Sequence, residues 1–201
     1  MTVPKTRSKL VDVARQLFAK NGVEDTTMND IAMASKKGRR TLYTYFKSKE
    51  EIYTAVVESE LEMLSEHMKV VAKKPTSPAN KIMELIMTHL ESIKTIVFRN
   101  GTLRAGFFRD IWRVEAERKR FDAREIELFR GILQEGKDNG TFNVDDAEIT
   151  AELLHYSIKG IEVPYIRGQV AEKLDDETKA RYVQKIVFGA LGVKNPTKIG
   201  L

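Results

Sequence analysis

The 201-residue chain contains no cysteine, so it forms no disulfide bond and has no thiolate for catalysis or metal binding. It has no apolar run of about eighteen residues, which a membrane-spanning helix needs, and its first residues lack the apolar core of a secretion signal. Its three histidines, His67, His89 and His155, show no metal-site spacing. Glycine-rich phosphate loops and the common catalytic motifs are also missing. We therefore expect a cytoplasmic protein that is neither an enzyme nor a membrane protein and that uses no metal or cofactor.

Positive charge is concentrated in the first quarter of the chain. Residues 1–50 hold 11 Lys and Arg against 5 Asp and Glu, a net charge of +6, whereas residues 51–201 hold 23 against 24. Residues 36–49 contain six basic side chains, no acidic one and three aromatic ones. Such asymmetry is typical of a segment that binds nucleic acid or an anionic membrane. A basic surface without a partner is the alternative that charge alone leaves open.

Apolar residues recur at helical spacing in nearly every segment, which predicts an all-α fold of about nine helices. The predicted helices cover residues 6–20, 28–35, 38–46, 48–72, 79–97, 102–112, 114–138, 145–163 and 176–191. Thr26 and Thr27 are expected to cap the helix that starts at residue 28, and Asp175 the last helix, while Ser48 with Glu51 forms a capping box. Pro164 is expected to stop the helix that precedes it. The loop KKPTSPAN, at residues 73–80, is the best candidate for a domain boundary.

Two short predicted helices over residues 28–46, separated by Lys36, Lys37 and Gly38, make a helix-turn-helix, whose second helix fits the major groove of DNA. If Leu42 and Phe46 point into the core, a rotation of about 100° per residue fixes the outer face. That face then carries Arg40, Thr41, Tyr43, Thr44 and Lys47, with Arg39 and Tyr45 on its flanks. Arginine can pair with guanine, threonine can contact thymine or phosphate, and tyrosine and lysine can reach phosphates. Packing against the first helix is the alternative for both tyrosines.

The segment TTMNDIAMASKKGRRTLYTYFKSKEEIYTAV, within residues 10–56, resembles the DNA-binding region of TetR-type transcriptional regulators. The matching residues are Thr27, Ile31, Ala32, Thr41, Leu42, Tyr43, Tyr45, Phe46, Ser48, Lys49, Glu50 and Ile52. The resemblance implies a homodimeric regulator with a DNA-binding domain over residues 1–50. A helical domain over residues 51–201 would bind an effector and form the dimer, with helix 48–72 connecting the two. Implied phosphate contacts come from Thr27, Tyr43 and Lys49, and implied base contacts from Arg39, Arg40, Thr41 and Thr44.

The sequence departs from the family pattern in the turn. The family usually has a small residue, glycine, a hydrophobic residue and serine, where this chain has Ser35, Lys36, Lys37 and Gly38. Lys37 thus replaces an apolar residue that packs the turn onto the core. Either its aliphatic stem fills the space while its ammonium reaches solvent, or the turn is reshaped. The departure adds one or two candidate phosphate contacts, Lys37 among them.

The last two helices are the natural dimer interface, because a dimer with two reading helices needs a symmetric contact. In TetR-like proteins this pair forms a four-helix bundle with its partner. The candidate interface residues are Leu153, Ile161, Tyr182, Ile186, Val187 and Ala190. Aromatic, methionine and polar side chains suit a pocket for an apolar or amphipathic effector. The candidate pocket residues are Met87, His89, Phe107, Phe108, Trp112, His155 and Tyr156. An ordinary packed core is the alternative for both sets.

Together these features predict a ligand-responsive, dimeric repressor that reads a palindromic operator in double-stranded DNA. The effector would change the spacing of the two reading helices through helix 48–72, and the role of repressor comes from the resemblance. The alternative is an all-helical adaptor that binds proteins or anionic membranes and is indifferent to DNA sequence. A basic membrane helix should carry a broad apolar face, whereas this segment uses Leu42 and Phe46 for a compact bundle.

Overall fold

A computed structural model of the protein describes residues 5–99 and 115–193, which form eight α-helices and no strand. The helices are α1 Lys5–Asn21, α2 Met28–Ala34, α3 Arg39–Tyr45, α4 Lys49–Ala72, α5 Pro78–Arg99, α6 Glu115–Asp138, α7 Ala147–Ile166 and α8 Asp176–Ala190. The all-α prediction is confirmed. The helix predicted over residues 102–112 lies outside the described residues. Within the described ranges, no helix combines the length and the apolar character needed to cross a membrane.

The chain divides into two compact units. The first comprises the described residues of Met1–Met63 and Thr95–Lys119, and the second those of Leu64–Lys94 and Arg120–Leu201. The first point of division therefore falls inside α4, and the loop between α4 and α5 belongs to the second unit. The functional division at residue 50 stays a prediction.

In the first unit, α1 to α4 bury one apolar core. Its members include Leu10, Ala14, Phe18, Ile31, Ala32, Leu42, Phe46, Ile52, Ala55 and Val56. Leu42 is 0% exposed and Phe46 is 2% exposed, so the prediction that both side chains point inward is confirmed. Phe46 directly follows α3, and its N–H donates to Leu42 O over 3.0 Å. The Arg7 guanidinium lies 5.1 Å from the centre of the Phe46 ring.

A buried ion pair also connects α1 to α4 within the first unit. Arg15 Nε lies 2.8 Å from Glu60 Oε1, and the Glu60 side chain is only 2% exposed. Arg15 also donates to Ser59 Oγ over 2.8 Å and to Asp12 Oδ1 over 2.9 Å. The ion pair with Glu60 and the hydrogen bond to Ser59 join α1 to α4, so they fix the rotation of α4 against α1 more closely than apolar contacts alone would.

In the second unit, the core is built by apolar side chains of α4 to α8. They include Leu64, Met68, Ile82, Leu85, Ile86, Leu90, Phe129, Leu133, Ala151, Ile158, Val187 and Phe188. The predicted start of α8 is confirmed, because Asp175 is its N-cap and accepts the N–H of Thr178 over 2.8 Å.

The prediction that Pro164 stops α7 is wrong. The helix continues through Pro164 to Ile166. Proline removes the hydrogen bond that the N–H of residue 164 would donate, and its ring crowds the carbonyl four residues earlier, yet the next turn still closes through Arg167 N–H and Val163 O at 3.1 Å. The chain leaves the helix at Gly168, whose φ of 70° is left-handed.

Candidate nucleic-acid interface

The outer face of α3 carries the side chains predicted to read DNA. Four of these side chains are exposed, namely Arg39, Arg40, Tyr43 and Thr44, whereas Thr41 is half-buried. Among the described residues, the side chains of Arg39 and Arg40 have no hydrogen-bond or ion-pair partner. The Thr44 hydroxyl donates to Arg40 O over 2.9 Å, so this hydroxyl would exchange a helix bond for any bond to DNA. The face therefore offers two unpaired guanidinium groups to a ligand.

The two tyrosines near the end of α3 differ in environment. Tyr43 is 45% exposed. Tyr45 is half-buried and packs against the core of the first unit, as the alternative for this residue predicted. Tyr43 therefore keeps a free path to a DNA backbone, whereas Tyr45 supports the core.

Thr27 begins α2 through a complete capping box. Thr27 Oγ1 accepts the N–H of Asp30 over 3.1 Å, and Asp30 Oδ2 accepts the N–H of Thr27 over 2.9 Å. The Thr27 hydroxyl also donates to Asp30 Oδ2, and these bonds hold the pKa of Asp30 below its usual value. A phosphate contact from this hydroxyl would therefore exchange a bond with Asp30.

The turn between α2 and α3 keeps a regular helix-ending geometry. The N–H of Lys36 donates to Met33 O and the N–H of Lys37 to Ala32 O, both over 3.1 Å, which is a Schellman motif. Lys36 has a φ of 56°, a left-handed conformation that costs a non-glycine residue about 1 kcal/mol. Lys37 is half-buried and Lys36 is exposed. The regular motif favours the first alternative for Lys37, in which its stem packs and its ammonium reaches solvent.

Two lysines lie at the start of α4. Ser48 Oγ accepts the N–H of Glu51 over 3.3 Å, as the capping box predicted, but the Glu51 carboxylate accepts the N–H of Lys47 rather than that of Ser48. Lys47 is exposed, whereas Lys49 Nζ donates to Glu24 O over 3.0 Å. An ammonium has three donors, so Lys49 can hold this carbonyl and still face a phosphate.

In the second unit, two residues predicted for an effector pocket form a buried charged network. His89 Nδ1 lies 2.6 Å from Glu125 Oε1, and His89 Nε2 lies 3.0 Å from Glu162 Oε1. His155 Nδ1 lies 2.8 Å from Glu125 Oε2. Both histidines are 1% exposed, so they connect α5, α6 and α7 instead of opening towards a ligand. No cluster suited to a metal ion exists in the part of the chain that the structure describes.

The charge of this network depends on its carboxylates. Burial disfavours a charged His89, but Glu125 and Glu162 outweigh that effect and raise the pKa of His89 to about 9. Burial would also raise the pKa of Glu125, yet His89 and His155 lower it. Asp122 extends the network, because it bonds Lys159 and lies 3.6 Å from His155 Nε2.

A groove of about 340 Å³ lies between α5, α7, α8 and the α7–α8 connection of the second unit. Its apolar lining includes Met87, Leu90, Ile161, Val170, Leu174, Tyr182, Val183 and Ile186, and its polar side chains are Glu91, Tyr165, Asp176 and Lys179. Burial and Glu91, which accepts the Tyr165 hydroxyl bond, raise the pKa of Tyr165, so this phenol stays neutral. The groove can take a compact, mainly apolar molecule. Met87 is the one predicted pocket residue that lines it; Phe107, Phe108 and Trp112 lie outside the described residues.

Large apolar side chains on α7 and α8 point away from the core of the second unit. On α7, Ile149, Leu153 and Tyr156 are 58%, 65% and 58% exposed, and on α8, Tyr182 and Ile186 are 58% and 70% exposed. Gly160 and Gly189 follow on the same faces, and a Cβ on either glycine would contact nothing within 4 Å. We call this set the apolar faces of α7 and α8.

The predicted interface residues are distributed between these faces and the interior. Leu153, Tyr182, Ile186 and Ala190 are exposed, whereas Val187 is 8% exposed and Ile161 lines the groove. The prediction did not include Ile149 or the two glycines, and it assigned Tyr156 to the effector pocket. The spacing of residues 149, 153, 156 and 160, at steps of three and four, was the signal that could have shown them together.

Comparisons with known proteins find similarity to transcriptional regulators. Residues 10–56 match the family described as bacterial regulatory proteins, tetR family. The chain is 28% identical over 144 residues to the HTH-type transcriptional repressor KstR2 of Mycolicibacterium smegmatis, covering 69% of this chain and 68% of that protein. It is 23% identical over 158 residues to the HTH-type transcriptional regulator QacR of Staphylococcus aureus, covering 77% and 83%. A TetR/AcrR-family regulator structure from Thermobifida fusca shares the fold, with a TM-score of 0.67, 24% identity and coverage of 90% and 95%.

A helix-turn-helix with an exposed basic reading helix, followed by further helices, defines a DNA-binding transcriptional regulator. The family match covers this helix-turn-helix from α1 into α4. The helix-turn-helix within residues 10–56 is a DNA-binding region of the TetR family of transcriptional regulators.

The buried network should make the second unit less stable at alkaline pH. The pKa of His89 is about 9 in the folded state and near 6.5 when unfolded, so its contribution is complete below pH 6.5. We expect the free energy of unfolding to fall by up to about 3 kcal/mol as the pH rises from 6.5 through 9. Denaturant titrations across this range measure it. His89→Gln should flatten this slope, and His67→Gln, at an exposed site on α4, should leave it unchanged.

An NMR titration of the wild-type imidazoles provides a check that does not depend on a variant. The His89 signal should titrate near pH 9. A midpoint at or below the usual value near 6.5 would contradict this account of the network.

Proposed function

We propose that the protein is a repressor that binds a palindromic operator as a homodimer and leaves it when a small apolar molecule binds the second unit. The observation that carries this proposal is the outer face of α3, where Arg39 and Arg40 are exposed and unpaired above a buried Leu42. A cytoplasmic location follows from the proposal, because the protein would act on the bacterial chromosome.

Binding would combine charge with base recognition. Base edges in the major groove would be contacted by Arg39, Arg40, Thr41 and Thr44. Phosphates would be contacted by Thr27, Lys37, Tyr43, Lys47 and Lys49. The burial of Leu42 and Phe46 weighs against the alternative of a membrane-binding helix, since the apolar side chains that would enter a bilayer are inside the protein.

The apolar faces of α7 and α8 support the proposed dimer. Exposed side chains such as Leu153 and Ile186 would lose contact with water against a second copy, which stabilises association. Gly160 and Gly189 would allow the helices of the two protomers to approach closely, since neither has a side chain in the way. A two-fold axis would then match the symmetry of a palindromic operator.

The groove supports the proposed response to an effector. Its lining is mainly apolar, and the polar groups of Glu91 and Tyr165 could orient a ligand. Tyr182 and Ile186 lie both in the groove and on the apolar face of α8, so a ligand there would contact side chains that also face the partner. A change in this contact would reach the reading helices through α4, which belongs to both units. The relative KstR2 is named a repressor, which agrees with this direction of control.

Selection of bound sequences from a random pool of duplex DNA tests the proposed function. We expect the wild type to select a palindrome. Arg40→Ala should relax preference at one position of each half-site and cost about 1–3 kcal/mol there, because a bidentate base contact is lost. Lys47→Ala should weaken all sequences alike and lower the salt slope by about one per half-site, since a phosphate contact carries no sequence information. Equal, sequence-independent losses in both variants would refute the assignment of reading residues.

Ile186→Lys should separate the dimer while leaving each protomer folded. Ile186 is 70% exposed in the single chain, so lysine costs the protomer little, but it would bring an unpaired charge into the interface. We expect the dissociation constant, measured by analytical ultracentrifugation, to rise roughly a hundredfold, or about 3 kcal/mol. Val70→Lys, at a 63% exposed position of α4, is the matched control. Unchanged association of Ile186→Lys would place the interface elsewhere.

A neutral apolar dye, N-phenyl-1-naphthylamine, tests the groove. We expect saturable fluorescence enhancement with one dye molecule per chain in the wild type, because the groove is large and apolar enough for the naphthyl and phenyl groups of the dye. Val183→Trp should abolish this binding by filling the groove, and Val70→Trp, outside it, should not. Equal binding by the two variants would exclude the groove as the site.

A further inference from the structure

We propose that Lys36, in the turn between α2 and α3, binds a DNA phosphate through its ammonium group. This contact would explain why a lysine occupies a backbone position that favours glycine. This inference rests on the proposed DNA-binding function and adds a contact to it. It differs from the expectation for Lys37, because Lys37 is half-buried and Lys36 is the exposed lysine.

The backbone of Lys36 gives the first argument. With a φ of 56°, it is one of only two non-glycine residues with positive φ among the described residues, the other being Ala171. Lys36 occupies the position of a Schellman motif that glycine fills best, since glycine has no Cβ to crowd the carbonyl. Lysine there weakens the turn, and its ammonium has no hydrogen-bond or ion-pair partner among the described residues to offset this cost. A strained residue that persists at a binding surface suggests a role in binding.

The location of the side chain gives the second argument. In a helix-turn-helix, the first helix crosses the DNA backbone while the second enters the groove with its N-terminal residues leading. The turn between them therefore passes close to a phosphate chain. Lys36 is exposed, and no partner for its ammonium is found in the described part of the chain. Its flexible four-carbon stem can bring that charge to a phosphate oxygen without moving the turn.

Replacing Lys36 with glycine should increase stability but weaken DNA binding. A lysine without a role in binding would not show the second effect. Lys36→Gly should raise the melting temperature by about 2–4 °C, because glycine accepts the left-handed conformation. It should also weaken binding to the selected operator and to a short duplex of random sequence alike. Each phosphate contact changes log K by about 0.9 per tenfold change in salt, so the affinity ratio of wild type to variant should change about eightfold per half-site over that range.

Three further variants isolate the charge from the backbone. Lys36→Ala removes the charge but keeps the strain, so it should show the binding loss without the gain in melting temperature. Lys36→Arg should bind DNA like the wild type. Lys73→Ala, which removes an exposed lysine from the second unit, should leave DNA binding unchanged.

The outcomes distinguish this inference from the proposed function. If the wild type shows no salt-dependent binding to either DNA, the proposed function fails. If the wild type binds and Lys36→Gly binds with the same affinity and salt slope, only the role of Lys36 is overturned. A lower melting temperature for Lys36→Gly would overturn the argument from backbone strain.

Discussion

The orientation of α3 depends on the burial of Leu42 and Phe46 in the core of the first unit. These two side chains are 0% and 2% exposed, and they hold α3 at one rotation about its axis. Because each residue turns the helix by about 100°, this rotation decides that Arg40 and Thr44 point outward. Base contacts need side chains placed to within a fraction of an ångström, and an apolar anchor on a short helix provides this only if its core is well packed. The burial of Leu42 and Phe46 on one face of α3 thus decides which side chains the opposite face presents to solvent.

The second unit has a mainly apolar core, but it also buries several charged side chains and exposes several apolar ones. His89, Glu125 and Glu162 are nearly inaccessible, while Leu153 and Ile186 are more than half exposed. Buried charges need partners in fixed positions, so the network gives α5, α6 and α7 a defined register at a cost in desolvation. Exposed apolar side chains gain most when another surface covers them. The exposed apolar side chains, and not the buried network, are the observation that supports the proposed dimer.

Much of the fold could be predicted because helical spacing and capping are local properties of a sequence. The helix starts at Thr27, Ser48 and Asp175 depend on side chains within three residues, and the inward direction of Leu42 depends on periodicity. The network of His89 could not be predicted in this way. Its partners are 36 and 73 residues away in the sequence, and nothing local distinguishes a paired histidine from one that faces a ligand.

Two smaller differences show where local rules reach their limit. Pro164 lies within α7 because a helix near its end loses little by omitting one hydrogen bond. Ile186 and Val187 of α8 are both predicted interface residues, but in the structure Val187 packs inward while Ile186 points outward. A sequence pattern gives the width of an apolar arc, and only the packing of the neighbouring helices shows which part of that arc is left exposed.

The ion pair of Arg15 with Glu60 has a consequence for how the protein responds to its ionic environment. Glu60 is almost fully shielded from solvent, so dissolved ions screen this attraction much less than they screen contacts at the surface. Raising the ionic strength should therefore weaken DNA binding at salt concentrations that leave the packing of α4 against α1 unchanged. At high salt, such a protein would release DNA while its first unit stays folded, and it would bind again on dilution.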